Sequence, residues 1–430
     1  MNNKNIIDFI EKNAFFQSNE FIPGKTQIKI SGKIYDQNEL LLGIQSIING
    51  WWTEGEFNKM FISKFSSFLG IKHVLPVNSG SSANLLAFAA LTSPLLKEKR
   101  IKKGDEVITV ASCFPTTVNP ILLYGCIPVF VDVNLETYNA DCDLIENAIT
   151  QKTKAIFLAH TLGNPINLDK IQKICKKYDL WLIEDCCDAL GSEYGGKKVG
   201  TFGDIGTFSF YPAHHITAGE GGAAATNNDL LNKIMKSIRD WGRDCFCETG
   251  HDNTCQSRFC QNHGELPQGY DHKYVYSNMG FNLKWTDFQA SIACAQMDKL
   301  DFFIKKRKEN FNLLHKGLKK FEKHLILPKE ENNSKPSWFG FLLTVKPPIN
   351  RNDLIEHLEN SKISTRLLFA GNVTKQPYFK DLKYRICGNL KNTDIIMNSS
   401  FWIGVYPGIT PEIIDYILMK FEDFFKKSEK

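Results

Sequence analysis

The stretch KAIFLAHTLGNPINLDKIQKICKKYDLWLIED, residues 154–185, is the clearest indicator of the architecture of this chain. Apolar runs at 154–159 and 180–185 predict two buried strands. Between them, residues 168–177 repeat apolar side chains at helical spacing, which predicts a crossover helix. Two strands joined in this way lie parallel, so the stretch predicts one unit of a mainly parallel sheet.

The same alternation extends from Ile71 to about Leu231. Further strands are predicted at 106–110, 128–133 and 205–210, and further helices at 82–91, 117–123 and 141–149. We therefore expect an α/β fold. In such sheets ligands bind beyond the carboxyl ends of the strands, so polar residues at those ends are the candidates for function.

The rest of the chain divides into parts with different patterns. A long helical segment is predicted at 286–321, and residues 325–430 predict a small α+β unit ending in a helix at 411–425. We accordingly predict an N-terminal segment at 1–40, a large domain at 41–300 and a small domain at 301–430. Residues 240–273 lack apolar periodicity, and connections of that length usually have a function or are disordered.

Composition excludes several classes of protein. The 430 residues include 52 basic and 47 acidic side chains, with no basic block that would indicate nucleic-acid binding. No stretch of about 18 apolar residues and no apolar signal core is present, so we expect a cytoplasmic protein without a membrane span. Cytosolic thiols stay reduced, so the 12 cysteines are not expected to form disulfides. Cys245, Cys247, Cys255 and Cys260 share one short polar segment and predict a metal site.

Polar residues stand at two predicted strand ends. The turn NSGSSAN, residues 78–84, opens onto an apolar helix whose N–H groups and dipole favour an anion, although a serine N-cap would explain it too. Asp185 ends a buried strand, where a carboxylate needs a partner. A protonated pyridine nitrogen is one such partner, and a helix cap or a salt bridge is another.

Residues 206–222, GTFSFYPAHHITAGEGG, combine a strand end, two histidines and a glycine-rich turn. By residue type alone His214 and His215 are either metal ligands or a solvent-facing pair. Together with the two strand ends above, this segment resembles the sugar aminotransferase family (DegT/DnrJ/EryC type) of pyridoxal-phosphate (PLP) enzymes. The resemblance covers about 34–430 and includes WTEG at 52–55, GFNLK at 280–284 and YPG at 406–408.

The resemblance implies PLP fold type I, as in aspartate aminotransferase: a mainly parallel seven-stranded sheet with a small C-terminal α+β domain. It implies these cofactor contacts: Gly80, Ser81 and Ser209 at the phosphate, Asp185 at the pyridine nitrogen, Phe114 on the ring face, and Asn282 at the phosphate of the neighbouring subunit. A homodimer follows from the last of these.

The departures from the family are informative. Ordinary members carry a lysine where this chain has His214, and that lysine forms a Schiff base with the cofactor. Imidazole cannot form this linkage, but it can move a proton near neutral pH. The resemblance is therefore to the lysine-less nucleotide-sugar 3-dehydratases, which implies non-covalent pyridoxamine phosphate (PMP) and His214 as the catalytic base. Asp188 stands where the family commonly has glutamine, so its role is open.

Cysteine spacing distinguishes two kinds of such dehydratase. The GDP-4-keto-6-deoxymannose kind needs no metal, whereas the CDP-4-keto-6-deoxyglucose kind carries a [2Fe–2S] cluster. The second kind has one cysteine, 57 residues, Cys-x-Cys, seven residues and a last cysteine, and this chain matches with Cys187, Cys245, Cys247 and Cys255. Cys187 is two residues from Asp185, so their Cα atoms lie within about 7 Å. Zinc bound by Cys245, Cys247, Cys255 and Cys260 is the alternative.

The resemblance implies removal of the 3-hydroxyl of CDP-4-keto-6-deoxyglucose in 3,6-dideoxysugar and lipopolysaccharide biosynthesis. Electrons would come singly through the cluster from a separate NADH-dependent reductase with flavin and iron–sulfur centres. Two other interpretations stay open. One is a cluster-free dehydratase of the GDP-4-keto-6-deoxymannose type with a structural zinc, and the other is a non-catalytic homologue.

Overall fold

The computed structural model describes residues 8–10, 12, 20–245, 247, 250 and 253–428. Up to residue 185 its elements are α1 (Gln37–Ile48), α2 (Glu56–Leu69), β1 (His73–Val77), α3 (Gly80–Leu91), β2 (Glu106–Val110), α4 (Pro115–Leu123), β3 (Ile127–Val131), α5 (Cys142–Ala148), β4 (Thr153–Ala159), α6 (Leu168–Tyr178) and β5 (Trp181–Asp185). Next come β6 (Glu193–Tyr194), β7 (Lys197–Lys198), β8 (Ile205–Ser209), β9 (Gly222–Thr226), α7 (Asp229–Arg239), α8 (Asp287–Met297), α9 (Leu300–Leu318), β10 (Leu325–Ile326) and β11 (Ser334–Lys335). The last are β12 (Gly340–Val345), α10 (Arg351–Asn360), β13 (Arg385–Ile386), α11 (Lys391–Ser399), β14 (Ser400–Gly404) and α12 (Pro411–Ser428).

The central sheet confirms the predicted α/β fold of type I. Its strand order is β1-β9-β8-β5-β4-β2-β3-β13. Only β9 is antiparallel to its neighbours, β1 and β8, and the pairs from β8 to β13 are all parallel. Seven of these strands have five or more residues, as the resemblance implied, and the two-residue β13 adds an eighth at the edge.

The predicted strands and helices of the 71–231 region are confirmed to within about two residues. Two strands of the central sheet, β1 and β9, were missed, as were the two-residue strands β6 and β7. β1 contains Pro76, which argues against a strand inside a sheet, and β9 has the sequence GAAAT, which is mostly alanine and glycine. The single helix predicted at 286–321 is two helices, because the backbone leaves α8 at Asp298 and α9 begins after Lys299.

A second sheet lies in the C-terminal part of the chain. It has the order β10-β12-β14 and packs with α9, α10 and α12 around its own apolar core. β13 belongs instead to the central sheet, where it pairs with β3. The proposed boundaries at 40/41 and 300/301 stay predictions. Among the described residues, no helix combines the length and the apolar composition that crossing a bilayer requires.

A buried carboxyl group fixes the loop between β5 and β8. Glu184 accepts hydrogen bonds from the backbone N–H groups of Gly200, Phe202 and Gly203 at 2.6–2.9 Å and from His160 Nε2 at 3.1 Å. His160 Nδ1 accepts a bond from the Ile166 N–H, so the ring proton is on Nε2. This network accounts for the convergence of His160 and Glu184 without a metal.

We expect Glu184→Ala to lower the free energy of unfolding by at least about 2 kcal/mol, because the buried Gly200 N–H and His160 Nε2–H would lose their acceptor at about 1–3 kcal/mol each. The partly buried N–H groups of Phe202 and Gly203 would lose the same acceptor. The matched control is Glu146→Ala, which removes a carboxylate from an exposed pair with Lys177 and should leave the urea midpoint close to the wild-type value. Urea denaturation of both variants measures the difference. Equal midpoints would contradict this account of the loop.

Candidate active site

Asp185 lies at the carboxyl end of β5, buried among neutral donors. Its Oδ2 accepts hydrogen bonds from Asn84 Nδ2 and Thr117 Oγ1, both at 2.8 Å, and its Oδ1 accepts the Cys187 N–H at 3.1 Å. Among the described residues, no cationic side chain forms an ion pair with it. A buried carboxylate held only by neutral donors has capacity for a cationic ligand, so its surroundings fit the protonated pyridine nitrogen of the cofactor.

The first turn of α3 faces the end of β8. Ser79 is the N-cap, and its Oγ accepts the Ser82 N–H at 3.1 Å, so the capping alternative is present. The helix itself supplies no acceptor for the N–H groups of Gly80 and Ser81. A Cβ at Gly80 would stand 2.4 Å from Ser209 Cβ, so only glycine allows this approach. The helix start and Ser209 therefore form one cup whose N–H groups, dipole and hydroxyl suit a phosphate.

His214 points into the same region. Its Nδ1 lies 2.5 Å from the carbonyl oxygen of Cys187, which can only accept, so Nδ1 carries the proton and Nε2 has the free lone pair. The imidazole stacks on Phe339 with ring centroids 5.2 Å apart. Burial lowers the pKa of His214 to about 4, against the opposing effect of the bond to Cys187. A neutral imidazole with an unprotonated Nε2 is suited to accept a proton.

Asp188 lies beside this imidazole, with its Oδ1 3.6 Å from His214 Nδ1. That distance is within ion-pair range, but burial and the neighbouring Asp185 raise the pKa of Asp188 to about 8. Near neutral pH both partners are therefore uncharged, and the contact is not an ion pair. The buried Arg307, whose Nη2 donates to the His214 carbonyl at 3.3 Å, opposes the rise in the Asp188 pKa.

The pKa of His214 predicts the acid side of the pH profile. The base is active when deprotonated, so activity should rise with pH through about 4 rather than through the ordinary value of 6.5. We expect kcat/KM to change less than about twofold between pH 5.5 and 7. Initial rates in this range test the prediction, and a tenfold loss on going from pH 7 to 5.5 would contradict it.

His215 is separate from this group. Its Nε2 lies 2.9 Å from the Ser337 carbonyl oxygen, and the residue is buried. The two adjacent histidines thus point at different backbone carbonyls. In the described part of the chain they do not converge on one site, which argues against the metal-ligand interpretation.

The polar segment brings three thiols together. The Sγ atoms of Cys245 and Cys247 and a ring nitrogen of His272 lie within 4.8 Å of one another, and Cys255 Sγ is 3.3 Å from His272 Nε2. Burial works to raise the pKa of Cys247, but hydrogen bonds from Thr254 and Cys255 outweigh it and lower the pKa to about 7. Thiolates are soft ligands for iron–sulfur clusters or zinc, so the donor set fits either centre.

Cys187 belongs to the cofactor region. Its Sγ would lie 3.0 Å from a Cβ at Gly80, and its carbonyl oxygen meets His214. Burial and Asp185 raise the pKa of the Cys187 thiol. Among the described residues, the side chains whose ligand atoms lie within 4.8 Å of one another are Cys245, Cys247 and His272, and Cys187 is not one of them. The place of Cys187 as a cluster ligand therefore stays a prediction.

Phe114 and Asn282 are more exposed. Phe114 precedes α4, is 52% exposed, and its ring meets Phe369 edge-on at 6.1 Å. Asn282 is exposed, and its Oδ1 accepts a bond from Lys284 Nζ at 2.8 Å. Asn282 has no recorded contact with the cup of its own chain among the described residues.

Five residues that the folded chain places at these sites had no predicted role: Asn84, Thr117, His272, Arg307 and Phe339. The sequence could have predicted Asn84, because it lies one helical turn after Gly80 and therefore on the same face of α3. The others come from elements distant in the chain, and no local spacing connects them.

The sheet topology, the helix-start cup and the strand-end aspartate define the class of PLP-type enzymes with the aspartate-aminotransferase fold. The chain belongs to the DegT/DnrJ/EryC1/StrS aminotransferase family, which it matches over residues 35–422.

Three comparisons place it within that family. It is 56% identical over 407 residues to the lipopolysaccharide biosynthesis protein RfbH of Salmonella typhimurium, covering 94% of this chain and 93% of the relative. It is 49% identical to the dTDP-4-dehydro-2,6-dideoxy-D-glucose 3-dehydratase of Saccharopolyspora spinosa, covering 96% and 89%. The solved structure of E. coli GDP-4-keto-6-deoxy-D-mannose-3-dehydratase with bound hydrated PLP is similar at a TM-score of 0.82 and 29% identity, covering 92% and 100%.

Proposed function

We propose that this protein removes the 3-hydroxyl of a nucleotide-linked 4-keto-6-deoxy sugar, with CDP-4-keto-6-deoxyglucose as the substrate. Replacing C–OH by C–H takes two electrons and two protons and releases water. The observation that carries the proposal is His214, a neutral base with a free Nε2, at the position where the family's aminotransferases have their lysine. The names of the two 3-dehydratase relatives support the same reaction class.

Six residues would hold the cofactor. Gly80, Ser81 and Ser209 offer N–H and hydroxyl donors to the phosphate, Asp185 offers its carboxylate to the ring nitrogen, Phe114 offers a ring face, and Asn282 would come from the neighbouring subunit. When bound, pyridoxamine phosphate supplies an amine and an electron-withdrawing ring. His214 has no amine to form a Schiff base, so it leaves that cofactor non-covalent.

The role of His214 is proton transfer at Nε2. Cys187 fixes the tautomer by accepting the Nδ1 proton, and Phe339 fixes the ring plane. The imidazole would accept a proton from the carbon that bears the cofactor amine and return it later. Because Asp188 stays uncharged near neutral pH, it does not draw a second proton onto the ring.

A [2Fe–2S] cluster on Cys187, Cys245, Cys247 and Cys255 would supply electrons one at a time from an NADH-dependent reductase. The three loop thiols already face one another, which supports a metal centre at this place. Cys255 is held beside the group by its contact with His272, whereas no contact between the Cys260 thiol and His272 or the other thiols is seen among the described residues. A four-cysteine zinc site with Cys260 therefore receives no support from the described geometry.

Exposed apolar side chains support a homodimer. Ile48, the last residue of α1, is 62% exposed, and Trp52, four residues further along the chain, is 63% exposed. The Trp52 carbonyl accepts the N–H of Asp287, the first residue of α8. A contiguous patch of exposed large apolar side chains usually marks an interface. A partner at this surface would bring the exposed Asn282 toward another subunit.

The test is reductive turnover under anaerobic conditions. The protein, CDP-4-keto-6-deoxyglucose, NADH and a flavin and iron–sulfur reductase are combined, and the sugar nucleotide is analysed by mass spectrometry. We expect the sugar to lose one oxygen while keeping its 4-keto group. Replacement of the keto group by an amine would show an aminotransferase, and an unchanged substrate with no bound cofactor would show a non-catalytic homologue.

A further inference from the structure

His272 lies where three parts of the cysteine segment meet. The Asp244 N–H donates to the Val275 carbonyl at 2.9 Å, and Arg243 pairs with Tyr276 in an antiparallel bridge. The two ends of the segment are therefore joined by backbone pairing, which brings Cys245 close to residue 272.

A second connection fixes the middle of the segment. The His272 N–H donates to the Arg258 carbonyl at 3.1 Å, and the Arg258 guanidinium holds Asp271 through bonds of 2.7 and 3.0 Å. This clamp keeps the residues just after Cys255 against the residue just before His272. The position of the imidazole is thus determined by backbone contacts on both sides.

The imidazole itself faces sulfur. His272 is 3% exposed, and its Nε2 lies 3.3 Å from Cys255 Sγ, within the range of an N–H···S hydrogen bond. The Sγ atoms of Cys245 and Cys247 are also within 4.8 Å of a ring nitrogen. Nδ1 is buried and has no hydrogen-bond partner among the described residues.

A neutral thiol is a weak hydrogen-bond acceptor, so thiols alone would satisfy this buried imidazole poorly. Thiolates on iron carry negative charge and accept strongly. Hydrogen bonds to the sulfurs of a cluster are among the factors that set its reduction potential. Reduction adds an electron to the cluster, so an N–H donor stabilises the reduced form more than the oxidised one.

We propose that His272 donates an N–H···S hydrogen bond to the Cys255 sulfur of the cluster and raises its reduction potential. This inference rests on the proposed function, and it makes His272 a positioning residue that is not itself a ligand. A higher potential favours the transfer of each electron from the reductase to the cluster.

The test compares full-length His272→Ala, His272→Gln and His263→Ala with the wild type, all purified anaerobically. Iron and acid-labile sulfide are measured first, and the potential is then determined by dithionite titration with mediator dyes. Gln retains an N–H donor. His263 is a matched control, since it is another histidine of the segment whose Nδ1 lies 3.6 Å from Asp244, and no thiol contact is recorded for it.

We expect His272→Ala to keep its iron and to lower the reduced-to-oxidised ratio at a fixed potential about tenfold, which is ~59 mV for one electron. His272→Gln should lie nearer the wild type, and His263→Ala should match it. An unchanged potential in His272→Ala overturns the proposal.

If His272→Ala loses iron, His272→Gln decides between a donor and a ligand. Iron retained near the wild-type potential supports the donor, whereas loss of iron in both variants makes the imidazole a ligand and overturns the donor. Wild-type protein without iron refutes the cluster itself, which is a failure of the proposed function distinct from a failure at His272.

Discussion

His214→Asn should lower the rate of dehydration by about 10²–10⁴-fold, the usual contribution of a positioned general base. The reason is that the amide cannot accept a proton at the place of Nε2. Cofactor binding should change little, because the cup at Gly80 and Ser209 and the carboxylate of Asp185 do not involve the imidazole. The measurements are single-turnover loss of the 3-hydroxyl and the amount of cofactor released on denaturation.

The matched control is the neighbouring histidine. In His215→Gln the side-chain amide can still donate to the Ser337 carbonyl that His215 Nε2 contacts at 2.9 Å, so turnover per bound cofactor should stay near the wild-type value. If His214→Asn keeps a rate within about threefold of the wild type, another group is the base. If both variants lose cofactor, the effect lies in folding of the turn.

Cys245→Ser should block reductive turnover while sparing the elimination step. A serine hydroxyl is a poor ligand for iron, so we expect a loss greater than the about 10–100-fold that removal of an outer-shell partner costs. In the proposed mechanism the elimination step uses His214 and the cofactor contacts at the strand ends, and Cys245 takes no part in it. The two steps are separated by assaying with and without NADH and the reductase.

Cys260→Ser is the control for Cys245→Ser. Cys260 is exposed and does not belong to the group formed by Cys245, Cys247 and His272. Cys260→Ser should therefore leave the iron content and the reductive turnover unchanged. If Cys245, Cys247, Cys255 and Cys260 instead bind zinc, the result should differ: both variants should lose zinc, and both should keep their turnover. Unchanged reductive turnover in Cys245→Ser would contradict the electron-transfer role of the segment.

The sequence predicted the central sheet well because its parallel strands are buried on both faces. Such strands appear as short apolar runs, as at 153–159 and 181–185, and their crossover helices have clear helical spacing. β9 was missed because GAAAT carries no strand signal, and its place is fixed only by pairing with β1 and β8. The break at Asp298 was missed because neither Gly nor Pro marks it.

The candidate site was predictable where one residue carries the chemistry. Asp185 is unusual at the end of an apolar strand, and His214 is unusual against the family pattern. Its surroundings were not predictable in this way. Thr117 and Arg307 reach the site from α4 and α9, and only the folded chain brings them near Asp185 and His214.

The same limit applies to His272. It lies 17 residues beyond Cys255, and no metal-ligand spacing connects the two. The backbone pairing of 243–244 with 275–276 places it among the thiols. Sequence spacing therefore gave the cysteines but not the histidine beside them.

The most direct test of the account is chemical analysis of the anaerobically purified protein, with and without borohydride treatment before denaturation. We predict two iron and two sulfide per chain, little zinc, and pyridoxamine phosphate that is released on denaturation whether or not borohydride was added. Cofactor that borohydride fixes covalently to the chain, or zinc in place of iron, would contradict the account.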